Sequence, residues 1–76
     1  MNEAYVLLNV DYKSQKAIIS ELEKISCAKS VKTIYGIYDL LAILQSENMQ
    51  ELKTAIDGDI HNIKGINNMT SLITIE

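Results

Sequence analysis

Two stretches of the chain are apolar at nearly every position, Ala4-Tyr5-Val6-Leu7-Leu8-Asn9-Val10 and Leu40-Leu41-Ala42-Ile43-Leu44. Short runs of this kind predict strands covered on both faces. Two further segments are mixed. Residues 31–35 carry Lys32 and Thr33 between apolar neighbours, and residues 70–75 alternate hydroxyl and apolar side chains. Both patterns suit edge strands. Between them the period lengthens. Ile18, Leu22 and Ile25 fall at i, i+4 and i+7, with Ile19 beside them and Lys16, Glu21, Glu23 and Lys24 on the other side. That is an amphipathic helix over 15–26, with Ser14 in position to cap it. Met49, Leu52, Ile56, Ile60 and Ile63 mark a second helix. Asn48 and Glu51 stand where a capping box places its polar pair, and Gly65 follows Lys64 as a C-terminal stop. Gly58 interrupts this helix at a cost of about 1 kcal/mol against alanine, and nothing in the sequence explains it.

The order strand-helix-strand-strand-helix-strand, with two fully apolar and two mixed strands, predicts an α+β fold. It is a ferredoxin-like βαββαβ two-layer sandwich whose antiparallel sheet runs 4-1-3-2, with both helices on one face. The other face is the difficulty. Alternate positions of the first strand are Val6, Leu8 and Val10 or Tyr5, Leu7 and Asn9. Those of the third are Leu40, Ala42 and Leu44 or Leu41 and Ile43. Whichever set meets the helices, the other leaves an apolar surface approaching the few hundred Å² at which exposed patches become interfaces. A homodimer formed face to face through the open sheet is the expected remedy.

Length supports the same expectation. The 76 residues make one domain, 1–76. A domain this small buries only about 60% of its unfolded surface and often needs a staple. Cys27 is the one cysteine and His61 the one histidine, so neither a disulfide within the chain nor a structural zinc is available. The net charge is −3, and all seven basic residues are lysines, scattered among acids. Without arginine or a basic patch, direct nucleic-acid binding is not expected. No segment reaches the roughly 20 apolar residues that span a bilayer, and the N-terminus lacks the charge pattern of a signal peptide. A cytoplasmic protein with a reduced Cys27 and no membrane contact is expected.

Ile34-Tyr35-Gly36-Ile37-Tyr38-Asp39-Leu40-Leu41 predicts a tight reversal between the middle strands. Gly36 tolerates positive φ, and Asp39 can bond turn amides. Ile37 and Tyr38 are not what a plain hairpin selects, since Asn-Gly or Asp-Gly is favoured there. Large apolar residues at a loop tip point to a surface that meets another molecule. Other chemistry is scarce. His61 has no identifiable nucleophile or acid partner. Asp57-Gly58-Asp59 lacks the ligand spacing of a calcium loop. No phosphate loop or dinucleotide fingerprint exists, so no cofactor and no metal is expected.

These segments together resemble the C-terminal effector domain of the Lrp/AsnC (leucine-responsive, feast/famine) regulators, known as the RAM domain. The resemblance rests on residues 4–10, on the Gly36-Ile37-Tyr38-Asp39 element with its flanks, on Ile60-His61-Asn62-Ile63-Lys64-Gly65-Ile66, and on Thr70-Ser71-Leu72-Ile73. It spans essentially the whole chain, and Gly-Xaa-Tyr-Asp is its most specific part. Lys64 stands where the family usually has proline. The family's N-terminal helix-turn-helix is missing, so the chain looks like a stand-alone RAM protein.

The resemblance implies sheet-to-sheet dimers that assemble further, up to an octamer, and a small effector, usually an amino acid, bound between dimers. The ligand-binding residues it implies are Gly36, Ile37, Tyr38, Asp39 and Leu40, with Thr70 and Ser71. Asp39 would accept the effector's ammonium, and turn amides or the Thr70 and Ser71 hydroxyls would meet its carboxylate. For Asp39 the alternative is that it only caps the turn, and for Tyr38 that it only packs in an interface. The expected function is a non-catalytic binding and oligomerisation module that regulates transcription or amino-acid metabolism, by co-assembly with full-length Lrp/AsnC regulators. The alternatives are an assembly module without ligand, and a small dimeric ferredoxin-like enzyme resting on His61.

Overall fold

The computed structural model describes residues 1–74. Its strands are β1 (Asn2–Val10), β2 (Ala28–Thr33), β3 (Leu40–Ser46) and β4 (Ile66–Thr74). They form one antiparallel sheet in the order β2-β3-β1-β4, which is the expected 4-1-3-2 read from the other edge. Helix α1 (Gln15–Glu23) follows a single 3-10 turn, and helix α2 (Met49–Thr54) runs on into a π-helical segment at Ala55–Ile60.

The two apolar strands are the central ones, where each has both of its edges paired. Ala4, Val6, Leu8 and Val10 from β1 meet Leu40, Ala42 and Leu44 from β3 on the helix side, all buried. Ile18 and Leu22 from α1, and Leu52, Ala55, Ile56 and Ile60 from the second helical segment, close this core. Cys27 is buried at its margin, where burial pushes its thiol pKa up, in keeping with a packing role.

Several boundaries differ from those expected, each for a local reason. Strand β2 begins and ends earlier than 31–35, because Ile34 and Tyr35 belong to the following loop. Strand β4 starts at Ile66 rather than 70. Asn68 pairs with Asn9 across the ladder, and an edge strand needs backbone partners more than apolar side chains. The expected end of this strand at Ile75 lies outside the described residues. Ser14 precedes α1 but makes no side-chain cap. Asn48 does cap α2, its Oδ1 accepting from Gln50 N at 2.9 Å. The reciprocal half of the box is absent. The Asn48 amide donates to Ser46 Oγ, and the Glu51 carboxylate accepts from the Ser46 and Ser26 hydroxyls. Glu51 therefore ties α2 to the end of β3 and to the turn after α1.

Gly58 lies in the π-helical segment, and a methyl group there would meet nothing within 4 Å. Gly65 is different. Its φ is +99°, its carbonyl accepts from Asp11 N, and an added Cβ would sit 3.0 Å from Ser14 Cβ. Urea denaturation at fixed protein concentration should separate the two. Gly58→Ala is expected to hold or raise stability by up to about 1 kcal/mol. Gly65→Ala is expected to lower it by at least about 1 kcal/mol through backbone strain and contact.

Candidate functional site

Residues 34–39 connect β2 to β3 as a wide loop rather than the tight reversal expected from the sequence. Gly36 has φ +133°, and open space surrounds it, so backbone conformation and not crowding calls for glycine. Tyr35 and Ile37 flank it at 106% and 86% exposure, a projecting tip with two large apolar side chains uncovered.

Below the tip the loop is firmly anchored. Ile34 N donates to Asp39 O and Asp39 N to Leu8 O, each at 2.9 Å. Asn9 Nδ2 donates to Ile37 O at 2.7 Å. Val10 N donates to Asp39 Oδ2 at 3.0 Å. The pairing of β1 with β3 ends at Leu8 and Leu40, so Val10 has no strand partner there, and the Asp39 carboxylate takes that place. Asp39 thus bonds a backbone amide of a neighbouring strand. One oxygen is engaged in this way, and a carboxylate has acceptor capacity beyond one bond.

The sequence-derived residues divide by face. Tyr38 crosses to the open side of the sheet, where its hydroxyl shares a 2.8 Å hydrogen bond with Thr70 Oγ1. Ser71 alternates to the opposite face of β4, and Leu40 is fully buried in the core, so only the Leu40 backbone can reach a ligand. The structure therefore sets Gly36 and Asp39 at one depression, joins Tyr38 to Thr70 on the open face, leaves Ile37 exposed at the tip, and keeps the Ser71 and Leu40 side chains apart. A second wall faces Gly36 and Asp39 across a depression, built by Tyr12, Gln15 and Thr33. No sequence signal marked these three, which come from separate elements and meet only in the fold.

The open face carries Tyr5 and Leu7 from β1, Leu41 and Ile43 from β3, and Leu72 from β4. The register sets them side by side as Ile43-Tyr5-Leu72 and Leu41-Leu7-Thr70. Leu72 is 58% exposed. Glu3 ends this band, accepting from Gln45 Nε2 and, at 3.0 Å, from Tyr5 Oη. Those two bonds, Gln45 first, hold its carboxyl below the usual range, and Glu3 holds the Tyr5 phenol above its ordinary pKa. Among the described residues no helix is long and apolar enough to cross a membrane, and no cluster of metal-ligating side chains occurs.

A family model described as the Lrp/AsnC ligand binding domain matches residues 3–76. No curated protein matches the sequence. Solved structures share the fold at low identity. A protein from Thermus thermophilus superposes with TM-score 0.91 at 21% identity, covering 100% of this chain and 95% of that one. E. coli AsnC gives TM-score 0.86 at 14% identity, covering 99% of this chain and 51% of that one. A transcriptional regulator from Neisseria meningitidis, solved as a complex with L-Met, gives TM-score 0.84 at 12% identity, covering 99% and 50%.

The Asp39–Val10 bond makes a prediction that chemical denaturation checks. Asp39→Ala orphans the Val10 amide and should cost about 1–3 kcal/mol. Asp39→Asn keeps an acceptor oxygen and should cost clearly less.

Proposed function

The chain belongs to the Lrp/AsnC ligand-binding domain family, and we propose that its residues act as one non-catalytic module that binds an amino acid at the β2–β3 corner and assembles through the open sheet face. The observation that carries this reading is the corner itself. Four hydrogen bonds fix a loop whose tip exposes Tyr35 and Ile37 beside an acid with acceptor capacity to spare. A rigid loop that presents uncovered apolar groups suits a ligand crevice completed by a neighbouring subunit better than it suits a free surface. The complex of the Neisseria regulator with L-Met supports an amino acid as the class of effector.

In this proposal the open face, with Tyr5, Leu7, Leu41, Ile43 and Leu72, pairs with the same face of a second copy, and dimers assemble further, up to an octamer. Gly36, Ile37, Tyr38, Asp39 and the Leu40 backbone line the effector site, with Thr70 acting through Tyr38 and Ser71 reaching it only from another subunit. Regulation follows by co-assembly with full-length Lrp/AsnC regulators. The enzyme alternative gains nothing, since His61 is exposed at the end of the helical segment, where its backbone N–H donates to the Gly58 carbonyl and its imidazole makes no hydrogen bond among the described residues.

A thermal-shift screen of the common amino acids tests the binding reading. A ligand at a hundred times its dissociation constant adds about 2.7 kcal/mol to the native state. For a domain of this size that corresponds to a rise in Tm of roughly 10–20 °C. Asp39→Asn should weaken the response to the same ligand. A flat response to every amino acid would leave an assembly module without an effector.

A further inference from the structure

The depression beside the β2–β3 corner does not end at Gly36 and Asp39. Tyr12, Gln15 and Thr33 line it on one side and also line a second, larger depression that continues along the start of α1, where Lys13, Lys16 and Ile19 complete the wall. The two have volumes of 360 and 510 Å³. Each falls within the range of roughly 300–1,000 Å³ typical of small-molecule sites. Through these shared residues they adjoin as one trough, in which Asp39 lines only the first depression and Lys13 and Lys16 only the second. Neither lysine is held in an ion pair among the described residues, where the salt bridge formed is Lys24–Glu21. Tyr12, Ile19 and the lysine stems give the second depression an apolar lining, and Gln15 and Thr33 add neutral hydrogen-bonding groups.

We infer that the effector is an amino acid with an acidic side chain, its ammonium at Asp39 and its side-chain carboxylate at Lys13 and Lys16. This rests on the effector reading of the corner proposed above and adds the identity of the side chain to it. A neutral amino acid held at Asp39 brings no side-chain anion for Lys13 and Lys16, whereas an acidic one brings it along the wall of Tyr12, Gln15 and Thr33 that the two depressions share. Lysine suits the task, because its compact charge on a flexible stem follows a carboxylate without demanding one geometry.

Titration of the full chain with L-glutamate, L-aspartate and L-glutamine at constant ionic strength, followed by NMR, tests this. An acidic ligand is expected to bind about tenfold or more tightly than glutamine, as one charge-assisted hydrogen bond allows. The double variant Lys13→Gln, Lys16→Gln should lower the acidic ligand to the affinity of glutamine. Lys53→Gln, which changes net charge away from the trough, should keep the preference. Equal binding of glutamine and glutamate, or a preference that survives the double variant, overturns the inference while leaving the corner as an amino-acid site. Binding of no amino acid, or binding indifferent to Asp39→Asn, overturns the corner reading and this inference with it.

Discussion

A four-stranded sheet with two helices has one face more than it has cover. Here the constraint is sharp, because β1 and β3 are apolar on both sides. Ala4, Val6, Leu8, Leu40, Ala42 and Leu44 meet the helices, and Tyr5, Leu7, Leu41 and Ile43 look the other way. Removing apolar surface from water is worth about 25 cal/mol per Å². A patch of roughly 400 Å² therefore carries about 10 kcal/mol of driving force before the costs of association are set against it. For 76 residues without a disulfide, that is comparable to the net stability of a whole domain. The proposed assembly follows from that imbalance, and the position of the candidate site follows from the assembly.

The corner between β2 and β3 illustrates how sheet geometry makes a rigid loop. Strand β1 runs past the end of β3, and its last amides need partners. The Asp39 carboxylate accepts from the Val10 amide, the Asp39 amide donates to the Leu8 carbonyl, and the Asn9 side chain donates to the Ile37 carbonyl. Val10 also marks the place where the register of β1 with β4 shifts. The loop is thus anchored to the central strand while its tip stays uncovered. For Asp39 the structural role and the binding role are compatible, since one carboxylate oxygen fixes the loop while the group retains further acceptor capacity.

Much of the fold was legible because hydrophobic period reports burial directly. The unbroken apolar runs mark β1 and β3 as central without saying which alternate set meets the helices, while the 3- and 4-residue steps of Ile18, Leu22, Leu52, Ile56 and Ile60 place the helical core residues correctly. What escaped were features that burial does not encode. A π-helical segment keeps Leu52, Ile56 and Ile60 on one face, so the stripe looks the same as in a regular helix. Asn67 and Asn68 look like loop residues, yet an edge strand is held by its backbone. Ile34 and Tyr35 look like strand because they are apolar, although Tyr35 is fully exposed at a loop. In the candidate site the residue types of the Gly-Xaa-Tyr-Asp element marked it as a loop that meets another molecule, and its ligand role was implied only by the family resemblance. The opposing wall of Tyr12, Gln15 and Thr33 was not legible, since Thr33 comes from a strand remote in sequence from the other two and none of the three carries a signature.

Sedimentation velocity at micromolar concentration, on the native chain and on Ile43→Asp, tests the central claim most directly. With a chain mass of 8.5 kDa, the native protein should sediment as a dimer or a larger assembly. Ile43→Asp sets a charge in the middle of the open face and should shift the protein to monomer. A native chain that sediments as a folded monomer, or an assembly indifferent to Ile43→Asp, would contradict it.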